Sequence, residues 1–222
     1  MSRNQEGWIR QYQQKGALWF HDGNPRRPHA LLTSGKHSNG FFNSELVMED
    51  SLLLDEACFD LVKLLEREGV NLNDVDRVVG PAMGAITLAH DISRHIGRAR
   101  DNFCLRAYTE KETDGDEKLM VFKKTTIRAG ERILAVEDVL TTGGSVDLTA
   151  TAVSSAGGIV LPFVAVLVNR SGLTHVGYKE IIALIDHYMP MWTPEECPLC
   201  KEGSEAIRPK GTENWARLNA TY

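Results

Sequence analysis

The chain has 222 residues, 42% of them hydrophobic, and a formal net charge of -5. That length supports one sizeable core with a small appendage, and the mild acidity argues against a broad nucleic-acid surface. No apolar run is long enough to span a bilayer, and the polar start MSRNQEGWIRQYQQKG lacks the apolar centre of a signal peptide, so a cytoplasmic protein is expected.

In chain order, a helix is predicted over Asn4 to Lys15, with Trp8, Ile9 and Tyr12 on one side. His21 to His29 is rich in Pro, Gly and Arg and reads as a turn. Leu31 to Leu46 reads as extended, with a turn at SGKHSNG. Residues 1–46 are expected to form an N-terminal region of their own. Ser51 to Glu68 repeats Leu52, Leu53, Ala57, Leu61, Leu64 and Leu65 at helical spacing, with Ser51 or Asp50 as its cap. The pattern then alternates. A strand over Val75 to Val79 is followed by a helix ending at Gly97, then by the strand NFCLRAY (Asn102 to Tyr108). The apolar strand ERILAVEDVL leads into a helix from Ser145 to Ala156. The strands IVLPFVAVLVNR and EIIALID close the series. Apolar strands alternating with single helices predict an α/β fold, a mostly parallel sheet covered on both faces, over residues 47–189. Residues 190–222 are expected as a C-terminal tail. The charged stretch from Tyr108 to Lys124 is too polar for the core. It reads as a solvated hairpin or loop, or as a mobile loop covering a site.

The chemistry concentrates in ILAVEDVLTTGGSV, Ile133 to Val146. Ligands of an open parallel sheet bind beyond the carboxyl ends of its strands, and this strand carries Glu137 and Asp138 there. The loop that follows enters a helix. Free backbone N–H groups, the helix dipole, the glycines Gly143 and Gly144, and the hydroxyls of Thr141, Thr142 and Ser145 suit a phosphate. The acids repel that phosphate, so they require hydroxyls or positive charge. A sugar phosphate satisfies both halves, with its phosphate in the loop and its diol on the carboxylates. A plain capped helix after an acid-ended strand accounts for Ser145 but leaves two acids and two threonines without a purpose.

This stretch closely resembles the phosphoribosyl-pyrophosphate (PRPP) motif of the type I phosphoribosyltransferases. GALWF (Gly16 to Phe20) and LLTSGKHSNGFFN (Leu31 to Asn43) resemble the N-terminal hood of the orotate phosphoribosyltransferases within that family. VVGPAMGAITLA (Val78 to Ala89) is similar to their pyrophosphate loop, and VLVNRSG (Val166 to Gly172) to the strand end carrying their orotate-binding arginine. The resemblance implies a type I phosphoribosyltransferase fold, with a hooded central sheet flanked by helices. It implies transfer of ribose 5-phosphate from PRPP to a base, orotate above all, in pyrimidine biosynthesis. Another purine or pyrimidine acceptor, or a non-catalytic PRPP-binding regulator, are the alternatives.

By the same resemblance, Glu137 through Ser145, including Val139 and Leu140, bind PRPP. Gly80, Pro81, Ala82, Met83 and Gly84 bind pyrophosphate with Arg106 and Lys36. Phe41, Phe42 and Arg170 form the base pocket, and Asp138, Lys111 and Arg106 carry the catalysis. Ala107 stands where these enzymes have a lysine after the arginine, and Lys111 stands for their loop lysine. Magnesium accompanying PRPP and a homodimer are implied; membrane and nucleic-acid partners are not. Lys36 and His37 read otherwise as exposed turn residues. Of the cysteines, Cys58 and Cys104 read as small core residues. Cys197 and Cys200, in CPLC, have the spacing of half a zinc site. Only His187 lies near them in sequence, so a complete site would need a partner subunit or unexpected ligands. Free thiols on a polar tail are the alternative.

Overall fold

The computed structural model describes residues 3–115 and 117–222; Asp116, in the middle of the predicted charged segment, and Met1 and Ser2 lie outside them. The N-terminal part holds α1 (Gln5–Gln14), β1 (Leu18–Phe20), β2 (His29–Leu31), β3 (His37–Ser38), β4 (Gly40–Phe42) and α2 (Glu45–Met48). The central part holds α3 (Ser51–Arg67), β5 (Arg77–Pro81), α4 (Ala85–Ala99), β6 (Leu105–Asp114), β7 (Glu117–Val121) and β8 (Arg132–Leu140). It continues through α5 (Gly144–Ser155), β9 (Ile159–Asn169), β10 (His175–Val176) and β11 (Lys179–Asp186). The last part holds β12 (Met191–Trp192), α6 (Pro198–Lys201), β13 (Ala206–Ile207) and α7 (Thr212–Asn219).

The helices follow their local signals. Asn4 caps α1 by accepting from the N–H of Gly7, and Asp50 rather than Ser51 caps α3, accepting from the N–H groups of Leu52 and Leu53. Leu53, Leu54, Ala57, Cys58, Leu61, Val62 and Leu65 form the buried face of α3. Leu88, Ala89, Ile92 and Ile96 do the same for α4. Each leucine, isoleucine and valine among them contributes about 1.5–3 kcal/mol when fully buried. The core is therefore the layer between these two helices and one face of the sheet. Two smaller clusters fill the opposite face, under α5.

The main sheet has the order β10-β11-β9-β8-β5-β6-β7. Its inner strands are parallel, while β10 and β7 pair antiparallel at its two edges. Chain order matters here. The crossover through α4 carries β5 to β6 on one side, and the crossover through α5 carries β8 to β9 on the other. The direction of winding thus reverses between β5 and β8.

Several expectations change. Glu45 and Leu46, expected as the end of an extended stretch, instead open the helix α2 (Glu45–Met48). Gly97 does not end its helix; α4 runs on to Ala99, and the glycine admits a close approach, since a Cβ there would lie 2.9 Å from the Asn102 carbonyl oxygen. The charged segment forms the antiparallel hairpin of β6 and β7, with Glu110 opposite Val121 and Lys111 opposite Met120. Cys58 is buried as expected, but Cys104 is only half-buried.

The largest difference concerns the two ends of the chain. Residues 190–222, expected as a tail apart from the first 46 residues, are hydrogen-bonded into the same unit. A four-stranded sheet runs β12-β3-β2-β13, so both outer strands come from the C-terminal segment. Trp19, Ala30, Leu32, Ile207 and Leu218 form its own small core. The indole N–H of Trp19 donates to the Leu218 carbonyl at 2.8 Å. The N-terminal helix is anchored to the central part instead: the indole N–H of Trp8 donates to the buried carboxylate of Asp60 at 2.9 Å.

Candidate active site

β5 and β8 pair side by side from Arg77/Ile133 to Val79/Ala135. Beyond that level they part. Gly80 and Pro81 stay with β6, opposite Tyr108 and Thr109, while Glu137 to Leu140 stay with β9, opposite Val166 to Asn169. The β5–β8 ladder thus ends at the carboxyl edge where the winding reverses, the place where ligands bind in open α/β sheets.

Two acids project from the β8 side. The strand continues through Leu140, so Glu137 and Asp138 lie within it rather than past its end. Neither is ion-paired among the described residues. Glu137 is buried, and the Asp138 N–H donates to its Oε1 at 3.2 Å. Burial first, and then the charge of Asp138, push the Glu137 carboxyl well above the ordinary carboxylate range; the Lys111 ammonium opposes them. The hairpin thus brings Lys111 within electrostatic reach of the acid pair.

Asp138 meets the turn after β5. A Cβ on Gly84 would lie 2.8 Å from an Asp138 carboxylate oxygen, so only a glycine lets this acid rest against the turn. The same turn is fixed by the Ala82 N–H, which donates to the Thr109 carbonyl at 2.7 Å, and its Ala82–Met83 peptide is cis. Pro81 is buried and Met83 exposed.

The loop after β8 enters α5 through Gly143, whose φ of 80° lies in the left-handed region that favours glycine. A Cβ there would also strike Val176 at 2.8 Å. Gly143 provides no side-chain cap, so the first N–H groups of α5 are available to an anion. Thr141 and Ser145 are half-buried at this end and Thr142 is exposed. Asp147 in the first turn would oppose an anion, but its carboxylate accepts from the buried Lys179 Nζ at 3.1 Å. The side chains of Val139 and Leu140 belong to hydrophobic clusters, so these two can offer only backbone groups.

Arg170, at the end of β9, is 1% exposed. Its guanidinium joins the central sheet to the hood: one Nη donates to the Gly40 carbonyl at 3.0 Å and the other to Ser38 Oγ at 2.6 Å. Its Nε is buried with no partner among the described residues. Burial pulls its pKa down to about 10, so it remains cationic at neutral pH. Phe42 is the core anchor of its pair, edge-on to Tyr12 at 5.4 Å; Phe41 is half-buried against Trp215 of α7 at 5.9 Å. Lys36 is exposed on the turn between β2 and β3.

The backbone of Arg106 lies below this edge. It pairs opposite Val78, three residues before the Pro81–Thr109 pair, or about 10 Å down the strand at about 3.3 Å per residue. Ala107 is buried in the core beneath. Lys111, on the hairpin beyond it, is the cation within electrostatic reach of Glu137.

Sequence reading also missed the partners of the CPLC pair. His29 and His37 are both buried, and their ring nitrogens lie within 4.8 Å of the Cys197 and Cys200 sulfurs. His37 is therefore not an exposed turn residue. The signal was available only in part: a lone C-x2-C demands two further ligands, but nothing in the sequence points to histidines more than 150 residues away.

The phosphoribosyl transferase domain family matches residues 53–188. The orotate phosphoribosyltransferase of Heliobacterium modesticaldum is 41% identical over 184 residues, 82% of this chain and 88% of the relative. That of Desulforamulus reducens is 36% identical, covering 82% of this chain and 87% of its own. The crystal structure of orotate phosphoribosyltransferase from Aeropyrum pernix superimposes with a TM-score of 0.60 at 23% identity, covering 80% of this chain and 92% of that one. The site at the β5–β8 switch lies inside the matched span, and the chain belongs to the phosphoribosyl transferase family, with its nearest resemblance to the orotate phosphoribosyltransferases.

Proposed function

We propose that the protein transfers the 5-phosphoribosyl group of PRPP to orotate, forming orotidine 5'-monophosphate and pyrophosphate. The observation that carries this reading is one sheet edge with two opposed chemistries. An uncapped, glycine-entered helix follows directly on the strand that carries the acid pair, so free N–H groups suited to an anion stand next to two carboxylates. The relatives that cover most of this chain are named orotate phosphoribosyltransferases.

In the reaction the C1–O bond of PRPP breaks and its electron pair leaves with pyrophosphate. A ring nitrogen of the base gives the pair that forms the C1–N bond, and its proton goes to solvent. Positive charge develops on the sugar as the bond breaks, so catalysis is mainly positioning and electrostatics. The N–H groups of α5 with Thr141, Thr142 and Ser145 hold the 5-phosphate. Glu137 and Asp138 bind the ribose hydroxyls and face the developing cation. The turn of Gly80 to Gly84 offers backbone N–H groups to pyrophosphate, and Lys111 offers a charge from the hairpin. Arg170, held by Ser38 and Gly40, turns its unpartnered Nε to the base carboxylate.

The acid pair is an oxygen-only donor set, which fits magnesium held by one or two carboxylates and by substrate phosphates. When bound, such an ion neutralises charge on the leaving pyrophosphate. The hairpin of β6 and β7 is read as the cover that excludes water during turnover. A homodimer follows from the family likeness, to be measured by sedimentation. No helix of the described residues is long and apolar enough to cross a membrane.

The deciding assay follows PRPP-dependent pyrophosphate release over orotate, uracil, adenine and hypoxanthine. Turnover restricted to orotate is expected. Turnover only with another base replaces the acceptor, and PRPP binding without any turnover makes the protein a PRPP-binding regulator.

A further inference from the structure

We propose that His29, His37, Cys197 and Cys200 form a tetrahedral zinc site that clasps the C-terminal segment onto the N-terminal hood. The four ligand atoms come from two segments far apart in sequence. His29 lies on β2 and His37 on β3; Cys197 and Cys200 bracket the first turn of α6, between β12 and β13. The outer strands of the small sheet thus lead directly into the thiol pair, while its inner strands carry the imidazoles.

The distances suit a single metal. A zinc with about 2.0–2.1 Å bonds to nitrogen and about 2.3 Å bonds to sulfur sets tetrahedral edges of about 3.4 Å for N···N and about 3.6 Å for N···S. Here His29 Nε2 lies 3.6 Å from Cys197 Sγ and 3.5 Å from Cys200 Sγ. His37 Nδ1 lies 3.2 Å from Cys200 Sγ, and the two imidazole nitrogens are 2.9 Å apart. The nitrogens need to separate by only about half an ångström for an ion to sit among the four.

The tautomer of His29 is set for ligation. Ser204 Oγ donates to the Arg27 carbonyl at 2.6 Å, which uses its only hydrogen. Ser204 Oγ can therefore only accept from His29 Nδ1, 2.8 Å away. His29 carries its proton on Nδ1 and presents the Nε2 lone pair to the cluster. A ligating histidine held through its other ring nitrogen is the usual outer-shell arrangement.

Burial and charge agree with this. His29 and Cys197 are 0% exposed and His37 is 6% exposed. Two thiolates cancel the charge of one divalent zinc, so the filled site buries no net charge. Two sulfur and two nitrogen ligands at tetrahedral spacing select zinc among common divalent ions, and four protein ligands leave no open position for catalysis. The alternative is a hydrogen-bonded histidine pair beside two free thiols, or a Cys197–Cys200 disulfide.

The test uses the full chain purified without chelator or metal-affinity resin. Elemental analysis is expected to return about one zinc per chain, and X-ray absorption at the zinc edge two sulfur and two nitrogen neighbours. Thiol titration of the native protein should leave both Cys197 and Cys200 protected until a chelator is added. Cys200→Ser is expected to lower zinc content at least tenfold. If that variant does not fold, the zinc content and edge spectrum of the natural protein decide by themselves. Zinc-free protein from zinc-supplemented cells, with both thiols titrating freely, overturns the proposal. So does a disulfide found by mass spectrometry, or a bound zinc whose absorption edge shows no sulfur ligands.

Discussion

Two buried glutamates at opposite ends of β8 show how one side chain serves stability or function according to its neighbours. Glu131, just before the strand, accepts from Arg77 Nη2 at 2.9 Å and Nε at 3.1 Å, and from the Arg128 N–H at 3.1 Å. Burial pulls its carboxyl up, but Arg77 and Arg128 outweigh burial and hold it below the usual range. Glu137, six residues on, has no cation bonded to it; burial first, and then the charge of Asp138, push its pKa well above the usual range. The first is a finished contact that ties β5 to β8. The second has no ion-pair partner among the described residues, as the proposed ligand role requires.

The largest effect should come from breaking the finished pair. Glu131→Gln leaves the Arg77 guanidinium buried without its counter-ion, which costs about 3–5 kcal/mol in denaturant unfolding. The natural protein should lose stability in the same direction as pH falls, because a lowered carboxyl pKa stabilises above the unfolded value and that contribution is lost through the folded one. The rate constant of the folded variant should be unchanged; a large loss of kcat without loss of stability would break the contrast.

At the other end the effect reverses. Asp138→Asn should leave the melting temperature nearly unchanged and lower kcat about 10²–10³-fold, the range for removing one preorganised electrostatic contact. Gly84→Ala tests the same acid indirectly. The helical φ and ψ of Gly84 accept alanine, so the strain falls on the Asp138 carboxylate, 2.8 Å from the new methyl. A loss of up to about 10²-fold in kcat/KM is expected, and an undiminished rate would show that the contact between turn and acid is dispensable.

The smallest effect is the most diagnostic. Glu137→Gln should stabilise the ligand-free protein at pH 8 by about 1 kcal/mol, or about 2–4 °C in Tm for a chain of this size, while weakening PRPP binding. The sign follows from linkage. A carboxyl with a raised folded pKa binds its proton longer in the folded state, so stability falls as pH rises from the unfolded value to the folded one. The gain in the variant should therefore vanish near pH 4, and a gain that persists there would have another origin.

Much of the site was legible from local order. The strand carrying Glu137 and Asp138, the turn at Gly143 and the helix behind it were legible, because strand, glycine turn and helix start are written in adjacent residues. The level of Arg106 on the sheet was not legible, because only the register of β6 on β5 sets it opposite Val78. The C-terminal segment misled for a related reason. Its strands are two residues long, too short to carry a periodic signal, and they exist because β2 and β3 offer them edges.

By itself, then, the sequence determined the helices, the alternation that makes a parallel sheet and the chemistry of the donor loop, all encoded within about one element's length. The tertiary structure decided where the β5–β8 ladder ends, that Arg170 is braced from the hood, and that two histidines and two cysteines meet. Those outcomes depend on strand order and register, which join residues 56 positions apart at Arg77 and Ile133 and 168 apart at His29 and Cys197. No local pattern of propensity, cap or period carries that information.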